Sequence, residues 1–101
     1  MSDLINVAKV SDVPTGEGRV FDAGGIQIAL FNLGGEFRAL DNTCIHRGGP
    51  LGDGICHGTT VTCPWHGWQF DIATGQCANM PGESVATYEV RVEGDTVQVK
   101  V

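Results

Sequence analysis

Cys44-Ile45-His46-Arg47-Gly48-Gly49-Pro50-Leu51 and Cys63-Pro64-Trp65-His66-Gly67-Trp68-Gln69-Phe70-Asp71 are the two stretches on which the reading of this chain turns. Each sets one thiol and one imidazole within a single short loop, and sixteen residues lie between His46 and Cys63. Thiolates favour soft or borderline metals, and imidazole suits iron and zinc. Two such pairs, each beside turn-forming residues, point to a metal site. Common zinc fingers keep their two cysteines in one pair and their two histidines in the other. Here each pair is mixed, so one metal can take both sulfurs and a second both nitrogens. A structural zinc bound by the same four residues is the alternative at this point.

Outward from the two pairs, Asn42 to Gly54 is rich in glycine, carries Pro50 and has few apolar residues. A long irregular loop in a small domain is usually functional, and this one holds Cys44 and His46. The rest of the chain is short β-branched segments punctuated by 15 glycines and 4 prolines, with 25 valines, isoleucines and threonines in all. That pattern predicts an all-β domain. Tyr88, Val90 and Val92 alternate with polar residues, as do Val97, Val99 and Val101, so Glu93-Gly94-Asp95 turns a hairpin. A second hairpin is expected from Ile26 to Phe31 and Glu36 to Leu40 around Asn32-Leu33-Gly34-Gly35. Further strands are expected at Gly18 to Asp22, Thr59 to Cys63 and Trp68 to Asp71. Asp3 to Val10 suits a helical turn as well as a strand.

The chain has 101 residues and a formal charge of −6. That length fits one compact domain, and a bound metal centre can supply part of its stability. The charge opposes nucleic-acid binding and suits a partner with a basic docking surface. From Asp41 to Glu89 five acids face one base, Arg47. No apolar run approaches the roughly 20 residues of a spanning helix. Met1 to Val10 lacks a basic start followed by an apolar stretch. The expectation is therefore a cytoplasmic protein without export signal or membrane anchor. The four cysteines then read as metal ligands (Cys44, Cys63) and buried thiols (Cys56, Cys77) in place of a disulfide framework, with a Cys56–Cys77 bridge as the alternative for the second pair. His57 is expected beside a hairpin turn with Gly58, in a structural role.

The two boxes resemble those of the Rieske family, whose pattern is C-x-H, a spacer of about this length, then C-x-x-H. The resemblance implies an antiparallel β-sandwich with a small cluster-binding subdomain at one tip, as a single Rieske [2Fe–2S] domain over 1–101. It favours a strand near Asp3 to Val10. It implies one [2Fe–2S] cluster per chain, with Cys44 and Cys63 on the inner iron and His46 and His66 on the outer. Gly48, Gly49 and Gly67 would let backbone approach the sulfurs, Pro64 would stiffen the second loop, and Pro81-Gly82 would form a third. Trp68 is expected to pack; Trp65 is open between packing and a partner contact.

Respiratory members of the family carry two extra cysteines that tie the loops. Here those positions hold Gly49 and Trp65, so that bridge is absent. They also carry a serine and a tyrosine whose hydroxyls bond toward the cluster's sulfurs, where this chain has Trp68 and Phe70. Such bonds stabilise the reduced cluster, so a low potential is expected. By resemblance the chain is an electron carrier, not an enzyme. It would shuttle single electrons from a flavin-dependent NAD(P)H ferredoxin reductase to a terminal Rieske non-haem iron oxygenase. The alternative is the small subunit of an NAD(P)H-dependent nitrite reductase, with the large subunit as its partner. Self-contained oxygenase chemistry needs a second iron site with two histidines and a carboxylate, and only His57 is left over.

Overall fold

The computed structural model describes residues 4–43, 49–65, 67–80 and 82–100. Among these residues nine strands follow one another: β1 (Leu4–Lys9), β2 (Gly18–Ala23), β3 (Ile26–Leu33), β4 (Glu36–Asp41), β5 (Ile55–His57), β6 (Thr60–Thr62), β7 (Gln69–Asp71), β8 (Thr87–Glu93) and β9 (Thr96–Lys100). Single 3₁₀ turns sit at Val10–Asp12 and Leu51–Asp53. The strands form a six-stranded sheet in the order β1-β9-β8-β4-β3-β2 and a three-stranded sheet β5-β6-β7, antiparallel throughout. The larger sheet curls until its edge strands β1 and β2 approach one another, with Ile5 lying against Gly24.

Strand β3 explains how the two sheets share one molecule. Successive side chains of a strand point to opposite faces, and β3 is buried on both. Ile28 and Leu30 enter a core with Val13, Ala23, Phe37, Ala39, Val97 and Val99, inside the curl of the large sheet. Ala29 and Phe31 enter a second core with Leu40, Leu51, Val61, Cys63, Phe70 and Ile72, between the large sheet and the small one. Ile28 through Phe31 are fully buried, which is why this segment reads as a continuous apolar run and not as an alternation. The small sheet thus packs on the back of β3 and carries the second box at the end of β6.

The β3–β4 hairpin is tighter than the sequence reading. Asn32 and Leu33 belong to β3, and Leu33 pairs with Glu36 across a two-residue turn. Gly34 and Gly35 both have positive φ, +71° and +99°, the type I′ combination whose twist matches the flanking strands. Asn32 Oδ1 accepts from Gly35 N at 2.8 Å, and Asn32 Nδ2 donates to Val13 O at 2.9 Å. The side chain read as a turn residue is therefore a buried strut. At the N-terminus the ambiguity resolves into strand β1 paired with β9, with a register shift between Asn6 and Ala8. The 3₁₀ turn follows only from Val10. Asp3 and Val101 lie outside the described residues.

Candidate metal centre

Asn42 pins both ends of the first loop. It is 5% exposed; its N–H donates to Gln27 O, and its carbonyl accepts from Leu51 N at 2.8 Å. Its side-chain Oδ1 accepts from Gly52 N, also at 2.8 Å. Thr43 and Pro50 then bridge across the base of the loop, while Leu51 sinks fully into the core between the sheets. Cys44, His46, Arg47 and Gly48 lie outside the described residues. The residues on either side of them hold the chain ends together, as a ligand loop requires.

The second loop is closed at its own base. Cys63 N donates to Trp68 O at 2.7 Å, just beyond the Thr62–Gln69 pair of β6 and β7. Gly67, at φ +73°, takes a conformation that L side chains rarely adopt. A Cβ added there would meet nothing within 4 Å among the described residues, so the left-handed turn is what calls for glycine. Cys63 is 1% exposed and belongs to the core between the sheets. Trp68 packs half-buried against that core, while Pro64, Trp65 and Gly67 are exposed. His66 lies outside the described residues.

Gly49 brings the two loops together. A Cβ built on it would stand 2.8 Å from Cys63 Sγ, 3.0 Å from Trp65 Cγ and 3.2 Å from Trp65 Cβ. Real Cβ atoms essentially never come as close as 2.8 Å, so glycine is what lets the first loop lie on the Cys63 sulfur without a shift. This close approach at Gly49 is as expected from the sequence. The pair Gly49 and Trp65, far apart in sequence, face each other across the loops.

A third segment runs beside the second loop. Asn79 Oδ1 accepts from Gln69 N at 2.7 Å, and Ala78 N donates to Gln69 O at 2.8 Å. Phe70 bridges to Cys77, and Gln76 to Ser84. Gly82 lies in the return of this segment with φ +91°; Pro81 lies outside the described residues. Asn42 and Asn79 are positioning side chains that the sequence reading did not single out. Their signal is an asparagine at a loop's edge, but its partner is ten residues away in both cases.

Cys56 and Cys77 are not joined to each other. Cys77 is buried, and Cys56 packs partly buried against the same core as Cys63. Burial, and then the Glu17 carboxylate, push the Cys56 thiol above its ordinary range. His57 is exposed at the end of β5, paired with Thr60 across the Gly58-Thr59 turn.

The donor set fits an iron–sulfur centre. A thiol excluded from water, with room above its sulfur that only a glycine leaves, suits a cysteine ligand whose neighbouring backbone approaches a cluster. Among the described residues, no helix is long and apolar enough to cross a membrane. The Rieske [2Fe-2S] domain profile matches residues 3–89. The ferredoxin component of the naphthalene 1,2-dioxygenase/salicylate 5-hydroxylase systems of Ralstonia sp is 34% identical over 98 residues, covering 96% of this chain and 94% of that protein. Apoptosis-inducing factor 3 of Homo sapiens is 37% identical over 95 residues, but this chain spans only 16% of its length. Among solved structures, the ferredoxin captured with its oxygenase in carbazole 1,9a-dioxygenase superposes with a TM-score of 0.86 at 31% identity, covering 95% of this chain and 91% of that one. A protein of Mycobacterium tuberculosis described as a putative NADH-dependent nitrite reductase small subunit does so with a TM-score of 0.91 at 25% identity, covering 100% and 96%. With its loops, its nine strands and these relatives in agreement, the chain belongs to the Rieske [2Fe–2S] domain family, and its cofactor is a Rieske-type [2Fe–2S] cluster.

Proposed function

We propose that residues 1–101 form one Rieske domain that works as a one-electron carrier, with Cys44, His46, Cys63 and His66 as the ligands of its cluster. The observation that carries this is the seat of the Cys63 sulfur, buried in the core under the Gly49 backbone. When bound, the cluster supplies one reversible electron, at a potential above that of all-cysteine clusters because two neutral imidazoles replace two thiolates. The protein keeps water from the Cys63 side through Leu51, Val61 and Phe70, all fully buried in the same core. Trp65 and Gly67 are exposed, which supports this end of the second loop as the place where an electron leaves. No residue outside the four ligands is asked to do chemistry, so the chain acts on another protein's redox centre and not on a small substrate.

The partners we propose are a flavin-dependent NAD(P)H ferredoxin reductase as donor and a terminal Rieske non-haem iron oxygenase as acceptor. Support comes from the relative of similar length in a dioxygenase system and from the ferredoxin solved in complex with its oxygenase. The cytoplasm is the compartment consistent with that pairing. A second reading, as the small subunit of an NAD(P)H-dependent nitrite reductase, is favoured by the superposition over the whole chain on such a subunit. Reconstitution separates them. NADH-driven reduction of the purified protein by a ferredoxin reductase, and its reoxidation by an oxygenase with substrate turnover, is the expected result. Electron transfer to neither, with tight binding to a nitrite reductase large subunit, would establish the second reading.

The ligand assignment has its own test. C44S, H46A, C63S and H66A are each expected to lose the visible absorption of the cluster. C56S and C77S should keep it. A coloured C63S variant would rule out the assignment.

A further inference from the structure

Trp65 is half-exposed at 49%, follows the Cys63 ligand by two residues and is not itself in the ligand set. A large apolar ring at the lip of a loop requires a reason, and its covered side supplies one. The Cγ and Cβ of Trp65 lie 3.0 and 3.2 Å from where a Gly49 Cβ would stand, and the same Cβ would press on Cys63 Sγ at 2.8 Å. Three groups from two loops therefore meet at one point: the sulfur below, the glycine backbone between, and the indole against its flank. Burying part of an aromatic ring on a backbone surface favours association of the two loops at little entropic cost, since tryptophan has only two side-chain torsions.

Resting on the cluster reading above, we propose that Trp65 is a positioning residue, a non-covalent clamp. Packed on Gly49, it holds the first loop against the second and keeps water and chelators from the Cys63 side of the cluster. The clamp joins the chain segment carrying Cys44 and His46 to the one carrying Cys63 and His66, so loss of the ring loosens both halves of the ligand set together.

The test follows anaerobic, chelator-driven bleaching of the visible absorption and the visible circular dichroism of the loaded protein. W65A is expected to bleach about 10-fold faster than the parent, in line with the effect of removing groups that orient metal ligands, with an altered dichroism; W65F should fall between them. G49A, which drives a methyl into both Cys63 Sγ and Trp65, should also bleach faster. Because the two residues act through one contact, the effect of G49A should shrink in the W65A background. Bleaching of W65A at the parental rate, or independent effects of W65A and G49A, would overturn the clamp.

A second measurement needs no cluster. The double variant G49C/W65C places two Cβ atoms a few tenths of an ångström inside the usual disulfide spacing of about 3.5–4.5 Å. With the loops relaxing by that small amount, it should oxidise to an intramolecular disulfide, seen as a loss of two thiols by mass spectrometry. Thiols that stay unpaired under oxidising conditions would contradict the loop contact itself. A colourless parent whose G49C/W65C variant cross-links would instead contradict the cluster reading and leave the contact standing.

Discussion

Phe70 and Cys56 show what single positions decide around this centre. Phe70 is fully buried, paired with Val61 on β6, and has no polar hydrogen to offer a sulfide. Trp68, at the other position where a hydroxyl would raise the potential, packs against the same core. The midpoint potential is accordingly expected near the bottom of the Rieske range, about −150 mV. A protein-film or dye-mediated titration giving a clearly positive midpoint at neutral pH would be incompatible with that environment. Cys56 is a residue of stability rather than of chemistry. Burial first, and then Glu17, raise its pKa above the ordinary 9.0. The folded chain then keeps a proton that the unfolded chain gives up. This contribution is complete below pH 9.0 and is lost as pH rises from there through the raised value. Denaturant midpoints measured across that alkaline window should fall less steeply in C56S than in the parent. Equal slopes would mean the thiol is not held in the protonated form. The family was legible in the two boxes, because mixed thiol–imidazole pairs at this spacing leave few alternatives. The struts Asn42 and Asn79 were not, since an asparagine's partner is fixed by the fold and not by its neighbours in sequence.

Among the elements, legibility followed periodicity. Strands β8 and β9 alternate strictly and were placed to within a residue or two. By contrast, β3 is apolar on both faces, so its end could not be read from alternation, and the last two residues were assigned to the turn. The first hairpin, where β2 pairs with β3 from Gly18↔Phe31 to Ala23↔Ile26, had only its Gly24-Gly25 turn to announce the pairing. Strand β1 was undecided because Leu4, Ile5 and Ala8 fit two periods, and its pairing to β9 is a contact between opposite ends of the chain. Glycine turns carry different burdens, which stability can read. Gly75 sits at φ +78°, its N–H donates to Asp71 O, its carbonyl accepts from Val85 N, and a Cβ there would overlap Val85 O. Gly58, at φ +60°, turns β5 into β6 with open space around it. G75A should cost about 2–4 kcal/mol, combining left-handed strain with a backbone clash, whereas G58A should cost about 1–2 kcal/mol from strain alone. Urea unfolding in which G58A is the more damaging of the two would refute that division.

At the scale of the whole molecule, charge and architecture divide the work. Twelve acids against six bases leave a net −6. Three of those bases, Arg19, Arg38 and Arg91, already pair with Glu17, Glu36 and Glu89 two residues away on exposed surface. Exposed pairs of this kind add little stability, and they leave the remaining acids to set the field. Association with a basic reductase or oxygenase should therefore slow as salt rises; a bimolecular rate of reduction independent of ionic strength between 0.02 and 0.5 M, about the span over which screening becomes complete, would remove charge from the docking account. The large curled sheet supplies the rigid body, β3 joins it to the small sheet, and the loops at the end of β6 and after β4 converge on one buried sulfur. Everything functional depends on what that convergence holds. The most direct measurement is iron and acid-labile sulfide on anaerobically purified protein, together with its electron paramagnetic resonance spectrum after reduction. Two irons and two sulfides per chain, with a paramagnetic signal that appears only on one-electron reduction, are the expected result for a Rieske [2Fe–2S] domain. Stoichiometric zinc without sulfide, in a colourless folded protein, would contradict it.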